Sequence, residues 1–452
     1  MGHLFWIIFI GALLVLTSMG AGLIRRGPIT AFAVYLAAGI AVGPALLGIA
    51  ALDFNEQNAG WLRPLTETGL VVSLFITGLK LRVPFRHHGW KTAVRLAAPA
   101  MVLTIAGVTA LVHVLAGWSW PMSLALAAIL SPTDPVLASL VSVDDARDDD
   151  QLRVALSGEA GLNDGTALPF LLLALTLLTA SDSGGHLWAH WLTVDLLWEW
   201  VGGLVLGFAL GWVVGYLSTR LRHATNDVAP SDFLALGIMA LAYGCAEAMD
   251  ASGFLAAFAA GVGLRRVELR VVHAHPIEEN EDTDNDGMRQ PAELLVRPNE
   301  RSTAGADHPA QTVGWVVSDA LSFGDTMERL IGAGLVFVVG VAVLPAFSWM
   351  GAAIAAVLFL VIRPASVWLS TIGGHVPWRR RLLLGWFGIR GLGSLNYLAY
   401  AMTHGLAGNE GNDLGRIVLT VVALSIVVHG VSTGPLMSWR GRALERLHAG
   451  GR

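Results

Sequence analysis

Between Leu152 and Leu178 the chain stays apolar for longer than a bilayer core is thick, yet it carries Glu159, Asn163 and Asp164 in the middle. About 20 apolar residues are enough to cross hydrocarbon as a helix. Ionisable groups at that depth are costly unless they line a wet cavity or find a partner. The stretch Leu156-Ser157-Gly158-Glu159-Ala160-Gly161-Leu162-Asn163-Asp164-Gly165-Thr166-Ala167 therefore demands a fold that supplies both. On a helix, Ser157 and Asp164 fall nearly on one line and Asn163 lies a turn from Glu159. Glu159 and Asp164 point to different sides. One acid then faces a cavity and the other a neighbouring helix.

Composition says the same of the whole chain. Of 452 residues, 54% are hydrophobic and 14% charged, where soluble domains carry about 25% charged residues. The mean hydropathy is +0.60. A net charge of −5 and a pI near 6.3 give no reason to expect nucleic acid. The single cysteine, Cys245, excludes an intrachain disulfide framework. At the N-terminus no basic segment precedes the apolar run from Leu4 to Ile24, which is too long for a signal-peptide core and reads as a retained helix.

Length and apolarity predict an all-α polytopic membrane protein of about thirteen spans. These are 4–24, 29–49, 62–80, 92–116, 121–142, 152–179, 194–218, 231–249, 252–265, 327–345, 348–371, 382–404 and 414–436. Connecting segments alternate in charge. Those with Arg25-Arg26, Lys80 to Lys91, Arg147, Arg220/Arg222, Arg265 to Arg270 and Arg379-Arg380-Arg381 are basic, as is the tail with Arg440, Arg442 and Arg446. The positive-inside rule puts these in the cytoplasm and the N-terminus outside, as expected of a multi-pass protein of the cell (inner) membrane. The chain divides into membrane parts at 1–266 and 324–437, a polar insert at 267–323 and a short basic tail at 438–452.

The insert reads as a cytoplasmic acidic loop. Within it Asp282, Asp284, Asp286 and Glu293, with Gly287, match the spacing of an EF-hand calcium loop. The flanks do not read as paired helices and Pro291 interrupts the loop, so weak calcium binding is the lesser reading and a solvated loop the favoured one.

Two spans break in mid-membrane. The fifth contains Ser131-Pro132-Thr133-Asp134-Pro135, where two prolines remove backbone donors. Such backbone is tolerated only beside a cavity or buried in protein. Freed carbonyls, the Thr133 hydroxyl and Asp134 are hard oxygen ligands for a small cation. The twelfth contains Gly388-Ile389-Arg390-Gly391-Leu392-Gly393-Ser394. Arg390 lies about 13 Å up a helix from Arg381, too deep to reach the surface, so it needs a carboxylate, and Glu159 is the candidate. Glu67, Glu247 and Arg363 read as structural pairing near helix ends. One broken helix in each half of the chain points to a secondary transporter of inverted repeats with its site at the midplane. No nucleotide, haem or hydrolase motif is present, so neither ATP nor a cofactor is expected.

These motifs, Ser131 to Pro135, Gly158-Glu159 with Asn163-Asp164, and Arg390, resemble the NhaP-type sodium/proton antiporters, the electroneutral branch of the monovalent cation:proton antiporters. Phe254 to Gly261 and Asp325 to Leu330 resemble the helices beside the insert. The resemblance implies the antiporter fold with two interrupted helices crossing near the midplane. It implies a homodimer in the lipid bilayer whose core domain moves against a dimerisation domain. It implies a Na⁺ (or K⁺, or Li⁺) and proton site at Asp164 aided by Thr133 and Asp134, a structural Glu159–Arg390 pair, and Asn163 where electrogenic relatives keep an aspartate. Ala160 departs from the serine frequent there, leaving Ser157 or water to supply the missing oxygen. The expected activity is exchange of cation for proton by competition at Asp164. The rival is a regulated monovalent cation channel or sensor gated through the acidic insert.

Overall fold

The computed structural model describes residues 3–22, 30–52, 56–139, 141–179, 185–225, 229–275, 290–296, 308–374, 376–406 and 408–450. Every element of any length is a helix, and no strand occurs among the described residues. In chain order they are α1 (His3–Met19), α2 (Ala31–Val42), α3 (Glu56–Lys80), α4 (His88–Ala116), α5 (Trp120–Leu130), α6 (Gln151–Leu162), α7 (Asp164–Thr179) and α8 (His186–Thr225). There follow α9 (Asp232–Glu247), α10 (Gly253–Ala274), α11 (Pro309–Val343), α12 (Trp349–Ser370), α13 (Trp378–Trp386), α14 (Leu392–Thr403) and α15 (Gly408–Gly450). Each of the thirteen expected spans has its helix; α6 with α7 and α13 with α14 are the halves of the sixth and twelfth.

Among the described residues, six helices are long and apolar enough to cross a membrane by length and composition. The others are shorter, broken or charged near one end, as α5 is short because its span gives way at Ser131. Starts are set locally: Thr30, Ser119, Asp150, Ser252 and Ser348 each accept an amide hydrogen bond as N-cap. Two prolines widen the turn instead of ending the helix. Pro99 sits in the π-helical turn Leu96–Ala100 of α4, and Pro364 follows the π turn Leu358–Ile362 of α12, directly after Arg363.

The helices pack in two sets. One is a panel of α2, α3 and α8 to α11, in which α10 lies against both α8 and α3. Small residues carry that contact, with Gly203, Gly207 and Gly211 of α8 against the α10 backbone. The other set is a bundle of α4 to α7 and α12 to α15 that contains both breaks. The sets meet where α3 crosses α14, sealed by the buried Thr66 Oγ1 to Asn396 Oδ1 hydrogen bond of 2.9 Å.

The polar insert is shorter than composition suggests. Helix α10 runs on to Ala274 and α11 starts at Pro309. Between them residues 290–296 are docked on the ends of α3, α10 and α11, with Ala292 fully buried.

Candidate ion site

The broken fifth and twelfth spans cap each other. Asp134 Oδ1 accepts from the amides of Val136 (2.8 Å) and Leu137 (3.2 Å). Its Oδ2 accepts from the amide of Leu392, the first residue of α14, and its own amide donates to Ile389 O at 2.8 Å. A carboxylate thus sits at the positive end of α14. A side chain at Gly391 would run into that carboxylate, which is why the contact tolerates only glycine there. In return Arg390 Nε donates to Leu130 O at 3.0 Å, Nη2 to Ser131 O at 3.4 Å, and Nη1 to Gly388 O. The guanidinium therefore covers the orphan carbonyls at the negative end of α5. Each break supplies the charge that the other's helix end needs.

Glu159 is fully buried, but its direct partner is Arg363 rather than Arg390. Arg363 Nη2 lies 2.6 and 2.8 Å from the two Glu159 oxygens. The expected Glu159–Arg390 pair is corrected on that geometry: Arg390 spends its donors on carbonyls and adds only its longer-range charge to Glu159. Both guanidiniums pass beside Gly388, whose missing side chain leaves the room. The sequence reads Arg363 as structural pairing near a helix end; the structure shows the pairing, with Glu159, and places it in the buried core. The signal was available, since Arg363 lies as deep within the apolar 348–371 span as Arg390 does within its own.

Asp164 opens α7 just past a slight bend at Asn163, and 1% of it is exposed. Neither carboxylate oxygen has a hydrogen-bond partner in the protein, and nor does Asn163 Oδ1 or the Ser394 hydroxyl. Asn163 Nδ2 donates to both Thr133 oxygens, the carbonyl at 3.0 Å and Oγ1 at 2.8 Å. The structure thus ties Thr133 to Asn163, turns Asp134 toward the α14 amides, and leaves Asp164 facing Gly393. Ser157, expected on the Asp164 line as an oxygen donor, accepts instead from the Val143 amide at 2.9 Å, holding the segment after the fifth-span break to α6. Tyr397 went unnoticed in the sequence. Its buried hydroxyl donates to the Asp164 carbonyl at 3.1 Å.

The calcium reading loses its key ligand. Glu293 is held by Arg265, Nη1 to Oε2 at 3.0 Å and Nη2 to Oε1 at 2.9 Å. Asp282, Asp284 and Asp286 lie outside the described residues. Among those described, no three His, Cys, Asp or Glu side chains are grouped to hold a metal ion. Beside the pair, Glu268 Oε2 lies 3.2 Å from Arg82 Nε and 3.5 Å from Arg265 Nη1, and Oε1 accepts from the Ala292 amide at 3.0 Å. Burial alone would raise the Glu293 carboxyl, but the charge and hydrogen bonds of Arg265 and the charge of Arg82 leave it below its ordinary value. Such a group stabilises the fold fully above the ordinary value of 4.5 and stops doing so as pH falls through the lower folded value. Glu293→Gln is expected to lower the melting temperature in detergent at neutral pH, by the loss of about 1.5–3 kcal/mol of charged hydrogen bonding. Thermal scans of both proteins should show that gap closing only below the ordinary carboxylate range.

A helical bundle with two broken spans capping each other, beside a buried carboxylate, is the arrangement expected of a membrane-embedded secondary transporter. The sequence matches the family described as sodium/hydrogen exchanger, transmembrane, over residues 10–285 and 322–439. The chain belongs to that family. It is 26% identical to the K⁺/H⁺ antiporter NhaP of Alkalimonas amylolytica over 96% of this chain and 66% of that protein. It is 33% identical to the Na⁺/H⁺ antiporter 2 of Zygosaccharomyces rouxii over 39% of this chain, which spans only 22% of that relative's length. The fold is shared with the sodium proton antiporter of Methanocaldococcus jannaschii, with a TM-score of 0.65, 18% identity, and 95% of this chain and 98% of that one covered.

Proposed function

We propose that the protein exchanges a monovalent cation, Na⁺ or alternatively K⁺ or Li⁺, for a proton by competition at Asp164. One observation carries this. Asp134, Glu159, Arg363 and Arg390 are all matched by charged or backbone partners, whereas the buried Asp164 carboxylate has neither, with only the neutral Tyr397 hydroxyl beside it. An isolated anion there is costly in hydrocarbon, so the site crosses the barrier only when a proton or a cation neutralises it. Either occupant excludes the other, and that turns competition into coupled exchange. The names of the relatives, antiporters of Na⁺ or K⁺ against H⁺, agree with the reaction class.

In this reading the bundle carries Asp164 past the panel, and the panel forms the interface of a homodimer in the cell membrane. The basic segments and C-terminus lie in the cytoplasm and the N-terminus outside. Asn163 and Thr133 hold the site's shape through the two hydrogen bonds from Asn163 Nδ2. The test is proton flux in proteoliposomes driven by Na⁺, K⁺ and Li⁺ in turn. Flux that ignores an imposed pH gradient would favour a channel and overturn exchange.

The stoichiometry is one for one. Glu159 is neutralised by Arg363 and Asp134 is held by three amides, so that of the three buried carboxylates beside the breaks Asp164 is the one left to swap its proton. Net charge movement would be worth about 2.3 kcal/mol per charge per 100 mV. The expected result is a Na⁺/proton equilibrium point that stays fixed when valinomycin and K⁺ clamp the vesicles at two potentials. A shift would make Asp134 a second carrier.

A further inference from the structure

A small cation bound to protein needs several hard oxygens, and the fifth and sixth spans offer few. Both Asp134 oxygens are taken by amides, and both Thr133 oxygens by Asn163. Ser157 is taken by the Val143 amide. What remains there is the Asp164 carboxylate and Asn163 Oδ1, all buried and unpartnered. These two spans therefore leave few oxygens without a donor, and one on another helix would fill out the shell.

Helix α14 supplies it. Gly393 puts its empty Cβ position 3.5 Å from Asp164 Oδ1. Tyr397, one helical turn further, shares that face. The Tyr397 side chain is 1% exposed, and its hydroxyl donates to the Asp164 carbonyl at 3.1 Å. A phenol that donates its proton keeps its oxygen lone pairs as acceptors. Its ring is held by an edge contact with Phe254 of α10, at a centroid distance of 6.5 Å and an interplanar angle of 85°. The oxygen is thus placed by two helices, one from each packing set.

We propose that the Tyr397 hydroxyl is a further ligand of the transported cation, completing from the twelfth span a site begun by Asp164 and Asn163. This rests on the exchange reading given above and names one of its specificity-determining residues. A neutral oxygen on a rigid ring fixes the distance between α14 and Asp164, so it favours one cation radius over others. The oxygen also belongs to the span whose break is capped by Asp134, so the cation links the same two elements as that cap.

The variant Tyr397→Phe removes the oxygen and keeps the ring and its Phe254 contact. Two readouts are needed on purified protein. The first is apparent KM and maximal rate for Na⁺, K⁺ and Li⁺ in proteoliposomes. The second is the cation concentration that half-raises the melting temperature at alkaline pH, with choline as the inert ion. Expected are a roughly tenfold rise in KM for the preferred cation, a maximal rate within about twofold, a changed order among the three ions, and a matching shift in the thermal midpoint. A purely bracing role would instead lower the maximal rate or melting temperature for all ions alike and leave their ratios unchanged, and that overturns the proposal. If the wild-type protein stabilises with cation but shows no exchange, the functional reading falls, and the thermal midpoints of the two proteins still decide the role of Tyr397.

Discussion

Asp164→Asn is expected to reduce cation-driven proton flux to the level of protein-free vesicles while leaving the protein as stable as the wild type, or more so. Both halves follow from one fact. The two Asp164 carboxylate oxygens accept no hydrogen bond within the protein, and the carbonyl that accepts from Tyr397 is untouched by the substitution, so none of these contacts is broken. Removing a buried charge that nothing compensates relieves a desolvation cost. An amide of the same shape can neither hold a proton in exchange nor neutralise a cation. Dequenching of a pH dye in proteoliposomes measures the flux, and thermal scanning in detergent measures the fold. Residual exchange above background would move the site away from Asp164. A large fall in melting temperature would mean that the carboxylate has a structural partner after all.

The second large effect concerns the buried ion pair. Arg363→Ala is expected to cost about 3–5 kcal/mol, because it strands Glu159 in a site with no exposure. Glu159→Ala should cost a similar amount, since Arg363 and Arg390 then sit side by side without their shared anion. A double-mutant cycle separates the two possible partners. Glu159→Ala with Arg363→Ala should recover much of the loss of either single change. Glu159→Ala with Arg390→Ala should not, because Arg390 also covers the carbonyls of Leu130 and Ser131. Recovery in the second pair and not the first would restore the partner chosen from sequence alone.

The reason for that wrong choice shows what a linear chain conveys. Apolar length marks the spans, proline and glycine mark the breaks, and an acid in hydrocarbon singles out Asp164 as the candidate. Each of these is local. Depth in the span makes Arg363 and Arg390 equal candidates for Glu159; which of them meets it depends on how α12 and the twelfth-span break approach α6, and the spacing of the letters does not carry that. Ser157 failed for a related reason: helical periodicity gave its direction, but the Val143 amide that claims it arrives from a loop. The 290–296 segment was hidden more deeply. Its charges read as solvated, whereas Glu293 is paired with Arg265 and the Gln290 carbonyl accepts from Arg82. Composition cannot tell a paired charge from a hydrated one.

The exchange of caps between the two breaks has an evolutionary corollary. Asp134 and Arg390 stand far apart in sequence, yet each satisfies a helix end that belongs to the other's span. No change at one position has a local remedy. Replacing Arg390 leaves the end of α5 open, and nothing on α5 can close it; replacing Asp134 does the same to α14. Substitutions at the two sites should therefore be inherited together. A chimera joining the first half of this chain to the second half of a relative will fold only if that relative brings an arginine to the same break.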